Sequence, residues 1–177
     1  MQRRPAGIDD VAFVAAVVRR IAADPEVTRA YLAGYSNGGK MAYRVACADP
    51  GLVTTVIVVR AVPGADCPPG PPVSLLQLAG TRDERVAYDA ASAPHVVNGY
   101  REATVTGQIA AWRRRDGCSG VPVAATAGAL RTQAWTCAGG TRVELATFAG
   151  GDHGWPGGGA GTPSAAQVIW VFVRAAP

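Results

Sequence analysis

Few backbones can accommodate the nine residues Tyr31-Leu-Ala-Gly34-Tyr35-Ser36-Asn37-Gly38-Gly39. An apolar run enters Gly-x-Ser-x-Gly, and a helix-forming segment, Lys40-Met41-Ala42-Tyr43, leaves it. Strand, sharp turn and helix in that order hold a serine hydroxyl out beyond the end of a parallel strand. Both glycines are expected to be steric necessities, because a Cβ at Gly34 or Gly38 would crowd the strained Ser36 backbone. The helix that follows directs free N–H groups and its positive dipole end toward the serine. A motif of this kind needs strands and helices alternating around it.

The rest of the chain supplies that alternation. Val11, Val14, Val17, Val18 and Ile21 recur at helical spacing, with Asp9 or Asp10 as N-cap and Pro25 closing the segment. A strand over 27–33 and a helix over 39–48 bracket Ser36. Leu52 to Val62 is an almost continuous β-branched run, the mark of a strand buried on both faces, and Val73 to Leu78 is another. A Pro/Gly loop, Pro63 to Pro72, separates them. Residues 101–116 predict a helix carrying Ile109 and Trp112. Leu130–Thr136 and Arg142–Phe148 read as strands, and Ser164–Ala175 as a last helix. The expected fold is one α/β domain over residues 1–177, a mostly parallel sheet between helices.

Charge and cysteines narrow the functional classes. The formal net charge is +4, carried almost wholly by arginine, and Lys40 is the single lysine. Arg113-Arg114-Arg115 reads as the solvated end of a helix, and no basic stripe interleaved with aromatics points to nucleic acid. Four cysteines, Cys47, Cys67, Cys118 and Cys137, form no C-x-x-C pair and stand far from the two histidines, so no metal site is expected. Three disulfide pairings are possible. Cys47–Cys67 and Cys118–Cys137 are favoured because each closes a local loop, with buried free thiols as the alternative. No apolar run is long enough to span a membrane. Val11 to Val18 lacks the flanks and cleavage site of an export signal.

Polar residues at strand ends carry the chemistry, since open parallel sheets gather their sites there. Ser36, Asp83 and His153 each follow an expected strand, in the chain order Ser…Asp…His of α/β-hydrolases. A serine hydroxyl becomes a nucleophile when a neutral imidazole takes its proton and a carboxylate orients that imidazole. Asp83 has a plainer reading, a turn-stabilising aspartate, and Glu84, Asp89 and Asp152 are rival acids. Asp152 is a poor rival because a sequence neighbour seldom reaches the histidine's Nδ1. His95 follows no strand and is read as incidental. Asn37 offers the backbone N–H that follows the nucleophile as an oxyanion donor. Tyr35 and Trp155 flank the three residues and are candidate substrate contacts. No cofactor is called for.

Gly34-Tyr-Ser-Asn-Gly-Gly-Lys-Met-Ala-Tyr-Arg44, Gly80-Thr-Arg-Asp83, Trp112 to Cys118, and Gly151-Asp-His-Gly-Trp-Pro-Gly-Gly158 together resemble the poly(3-hydroxybutyrate) depolymerase and feruloyl esterase family. These are secreted α/β-hydrolase esterases related to acetyl-xylan esterases. Ala79 departs from the histidine often found before Gly-Thr-x-Asp. The resemblance implies Ser36 as nucleophile, Asp83 as acid, His153 as base, an ester substrate, disulfides and an extracellular location. It further implies strands, a helix and a His-Gly oxyanion loop ahead of Met1. The chain is therefore expected to be the C-terminal part of a longer esterase, with Ser36 on an apolar edge strand. A catalytically silent fragment that retains the three residues is the alternative reading.

Overall fold

A computed structural model describes residues 7–64, 67–92, 96–97 and 100–175. Its centre is a six-stranded sheet. In chain order the strands are β1 (Tyr31–Tyr35), β2 (Thr55–Val59), β3 (Ser74–Gly80), β4 (Val123–Ala127), β5 (Leu130–Thr136) and β6 (Arg142–Phe148). The helices are α1 (Asp10–Ala22), α2 (Asn37–Ala48), α3 (Val105–Arg115) and α4 (Ala165–Ala175). Across the sheet the order is β1-β2-β3-β6-β5-β4. β1, β2, β3 and β6 run parallel, whereas β5 is antiparallel to β6 and β4 to β5. A separate two-residue pairing joins Val96–Val97 to Tyr100–Arg101.

Burial explains why the parallel strands read clearly in sequence. Every residue of β2 and β3 is buried, so neither face needs polar residues. α2 and α3 cover one face with Tyr43, Ala46, Ile109 and Trp112, and α4 covers the other with Val168 and Phe172. The longest polar side chain in β2 and β3 is Gln77. Its amide donates to the Ala61 carbonyl at 2.9 Å and its carbonyl accepts from the Tyr43 hydroxyl at 2.7 Å, so both polar groups are satisfied. α1 is capped by Asp9, which accepts from Val11 and Ala12 N–H. Ala15 is buried and Val18 packs on the core, but Val17 and Ile21 face outward at 42% and 55% exposure.

Several boundaries differ from the sequence reading. β1 runs on through Gly34 and Tyr35, so the strand ends directly at Ser36. β4 was not anticipated: all five of its residues are exposed, and small residues such as Ala124 and Ala125 give no apolar alternation. It makes a hairpin with β5 and so brings in antiparallel pairing that periodicity alone does not reveal. The connection from α3 into β4 consequently lies at the edge of the sheet opposite Ser36, since Val123 pairs with Ala134, toward the far end of β5.

The arginine cluster is also corrected. Only Arg114 of the three is exposed. Arg113 stacks over Trp135 at 4.2 Å, and Arg115 lies over Trp112 and pairs with the buried Asp116. Asp116 is also held by the Val73 N–H at 3.0 Å, and burial raises its pKa against the opposing pull of Arg115. Arg113 thereby ties the base of α3 to β5 through its flat guanidinium face, and Arg115 ties it to the loop before β3 by donating to the Pro68 and Pro71 carbonyls. Cys47 is bonded to Cys67 and Cys118 to Cys137.

Candidate active site

Four neighbouring parallel strands end along one edge, and each delivers a polar residue there. Ser36 follows β1, Arg60 follows β2, Asp83 follows β3 and His153 follows β6. Ser36 has φ 51° and ψ −117°, a conformation non-glycine residues rarely take. Its N–H donates to the Val59 carbonyl at 2.8 Å, and its own carbonyl accepts from Lys40 N–H at 3.1 Å as α2 begins. The strain is thus held by the sheet on one side and the helix on the other.

The glycines share the steric work differently from expectation. A Cβ at Gly34 would lie 2.1 Å from the Gly38 carbonyl oxygen, and one at Gly39 would lie 2.8 Å from the Ala61 Cβ. At Gly38 a Cβ would meet nothing within 4 Å. Gly38 points outward from the first turn of α2, so the crowding assigned to it belongs to Gly39, which faces the end of β2.

Three strand spacings separate β1 from β6, about 14 Å at the usual separation of neighbouring strands. The loop after β6 crosses that distance and is fastened to each strand end on the way. Arg82 N–H donates to the Gly151 carbonyl at 2.9 Å, Arg60 Nε donates to the Gly154 carbonyl at 3.2 Å, and the Tyr35 hydroxyl donates to the His153 carbonyl at 2.7 Å. His153 arrives with Nε2 2.9 Å from Ser36 Oγ and Nδ1 3.0 Å from both carboxylate oxygens of Asp83. The side chains of His153 and Asp83 are 11% and 2% exposed. With Nδ1 protonated toward Asp83, Nε2 is left as an acceptor for the Ser36 proton.

Asp83 makes the contacts that both readings of it require. Oδ1 accepts the N–H groups of Arg85 and Val86 at 2.9 and 3.0 Å, fixing a tight turn, while the carboxylate faces His153. The rival acids are engaged elsewhere. Glu84 is exposed, Asp89 binds the backbone at Ala91 and Ser92, and Asp152 accepts from Gly154 N–H within its own loop. His95 lies outside the described residues. Asn37 opens α2, where helix geometry leaves its N–H without an intrahelical acceptor. The Trp155 ring meets Tyr35 edge-on at 6.0 Å, and the two are 50% and 40% exposed. Among the described residues, no group of His, Cys, Asp and Glu side chains is arranged to hold a metal.

Arg60 went unnoticed in the sequence. It is 2% exposed, has φ 55°, and lies beneath the loop that carries His153. The available signal was a single charge inside the apolar run Leu52 to Val62.

No protein-family model matches the chain. It is 30% identical to Feruloyl esterase B of Piromyces equi over 179 aligned positions, which cover 94% of this chain and 31% of that protein. It is 31% identical to the protein named "Putative esterase NocK" of Nocardia uniformis subsp. tsuyamanensis over 175 positions, which cover 88% of this chain and 51% of that protein. The chain therefore spans about a third and about half the length of these curated relatives.

Proposed function

We propose that this chain, a member of an esterase family with the α/β-hydrolase arrangement, is a serine hydrolase of carboxylic esters in which residues 1–177 act as one catalytic domain. The observation that carries the reading is the unbroken hydrogen-bond path from Ser36 through His153 to Asp83. Ser36 Oγ gives its proton to His153 Nε2 and bonds to the ester carbonyl carbon. The resulting oxyanion lies before the N-terminus of α2, where the Asn37 N–H is the donor. The imidazolium, steadied by Asp83, then protonates the leaving alkoxide and the acyl-enzyme forms. Water gives a proton to His153 Nε2 as its oxygen bonds to the acyl carbon. The bond from that carbon to Ser36 Oγ then breaks, Oγ takes the proton back from the imidazolium, and the acid is released.

For substrate we propose an acyl group of the polyhydroxyalkanoate, feruloyl or acetyl-polysaccharide kind. The exposed Tyr35–Trp155 pair offers an aromatic wall beside His153, which favours a flat aromatic acyl group. The two disulfides fit an extracellular protein.

A fluorophosphonate probe tests the reading. Intact mass should show one adduct, located on Ser36 by peptide mapping and absent in Ser36→Ala. A folded wild-type chain that stays unlabelled would instead establish the catalytically silent alternative. Comparing methyl ferulate with a simple acetyl ester then resolves the acyl preference.

A further inference from the structure

We infer that Arg60 is a positioning residue for the reaction, a buried cation that pins the histidine-bearing loop and holds the Asp83–His153 pair in its working arrangement. The inference rests on the esterase reading above for its catalytic meaning, but its structural basis is separate. Arg60 sits at the end of β2, between the strands that deliver Ser36 and Asp83. Its Nε donates to the carbonyl of Gly154, the residue following His153. The guanidinium occupies a slot that two glycines leave open. A Cβ at Gly80 would stand 2.0 Å from Arg60 Nη1, and one at Gly151 would stand 2.8 Å from Nη2. Gly80 leads into the Asp83 turn and Gly151 into His153, so the slot is made from the same two loops that bear the acid and the base.

Two unfavourable features meet at this residue. Arg60 keeps a left-handed backbone without being glycine, and Nη1 has no hydrogen-bond partner among the described residues although it is buried. A residue serving only to fill the core would avoid both by being smaller and apolar. Burial lowers the guanidinium's pKa, and nearby charges oppose that effect without outweighing it. Asp83, Asp152 and Tyr35 are the titratable groups whose fields act on the guanidinium, opposing the effect of burial. Removing the cation would leave the nearly buried Asp83 carboxylate with less compensation and would free the Gly154 carbonyl that fixes the loop. Phe148, under the guanidinium at 5.6 Å, closes the slot from the sheet side.

The test compares Arg60→Met, which loses charge and donor, Arg60→Gln, which keeps a donor, and Arg60→Lys, which keeps the charge. Fluorophosphonate labelling and ester turnover should fall at least tenfold in Arg60→Met and Arg60→Gln, through kcat with KM little changed, and Arg60→Lys should recover most of the loss. Independently of any activity, the downfield proton resonance of the His153 Nδ1–H···Asp83 bond, identified by its loss in Asp83→Ala, should broaden or vanish in the two neutral variants and persist in the lysine variant. If Arg60→Met does not fold, Arg60→Gln decides. A wild-type chain that fails to label overturns the esterase reading, while the resonance still judges Arg60. Neutral variants with an unchanged resonance would overturn the role proposed for Arg60.

Discussion

Gly34 and Gly38 occupy equivalent letters of one motif but face opposite surroundings. Gly34→Ala drives a methyl group to 2.1 Å from a backbone oxygen, which the neighbouring turn of α2 cannot move aside cheaply. A loss of about 3 kcal/mol, the upper range for overpacking, is expected in urea denaturation. Gly38→Ala places its methyl group in open space on a helix, and stability should rise by about 0.5–1 kcal/mol in the same measurement. Glu144 gives a pH prediction. Burial raises its carboxyl pKa, with Arg142 pulling the other way, so the folded state binds the proton more tightly than the unfolded chain. Its contribution is then most favourable below the ordinary carboxylate range and is lost as pH rises through the raised value. Glu144→Gln removes that dependence. Urea midpoints should therefore shift in favour of the variant, relative to wild type, between about pH 4 and about pH 7.

At the scale of elements, the disulfides bind helix ends to loops. Cys47 lies in α2 and Cys67 in the loop after β2, while Cys118 follows α3 and Cys137 follows β5. The latter pair closes a separation of 19 residues, so Cys118→Ser with Cys137→Ser should cost about 3 kcal/mol by chemical denaturation. The parallel half of the sheet was legible because complete burial writes an apolar run, as in β2 and β3. The outer hairpin was only half legible: β5 was found, but β4 buries no residue and leaves no pattern. The Ser36, Asp83 and His153 positions were legible because each stands at the end of a readable strand, and the structure brings them within hydrogen-bonding distance. The loop anchors Tyr35 and Arg60 were not legible in that role. Their function depends on where a distant segment crosses the strand ends, which local pattern does not encode.

Across the molecule, several large exposed apolar side chains stand on the outer helices α1 and α4. Phe13, Val17 and Ile21 project from α1, which packs on the α2 face, and Trp170 and Val171 project from α4 on the other. β1 is a terminal strand of the described sheet, so its outer backbone edge is a further surface open to association. Phe13→Ser combined with Trp170→Ser should raise the concentration at which light scattering begins, with the unfolding free energy changed by no more than about 0.5 kcal/mol.

The antiparallel hairpin has a practical consequence. Because β4 starts at the edge away from Ser36, the exposed turn at Gly120 and Val121 lies behind the molecule, next to the Cys118–Cys137 bond. Val121 is 91% exposed and Gly120 has φ 77°, so a tag spliced between them disturbs no packed side chain. A chain immobilised by such a tag would stand on a bead with the Ser36 end turned to the liquid.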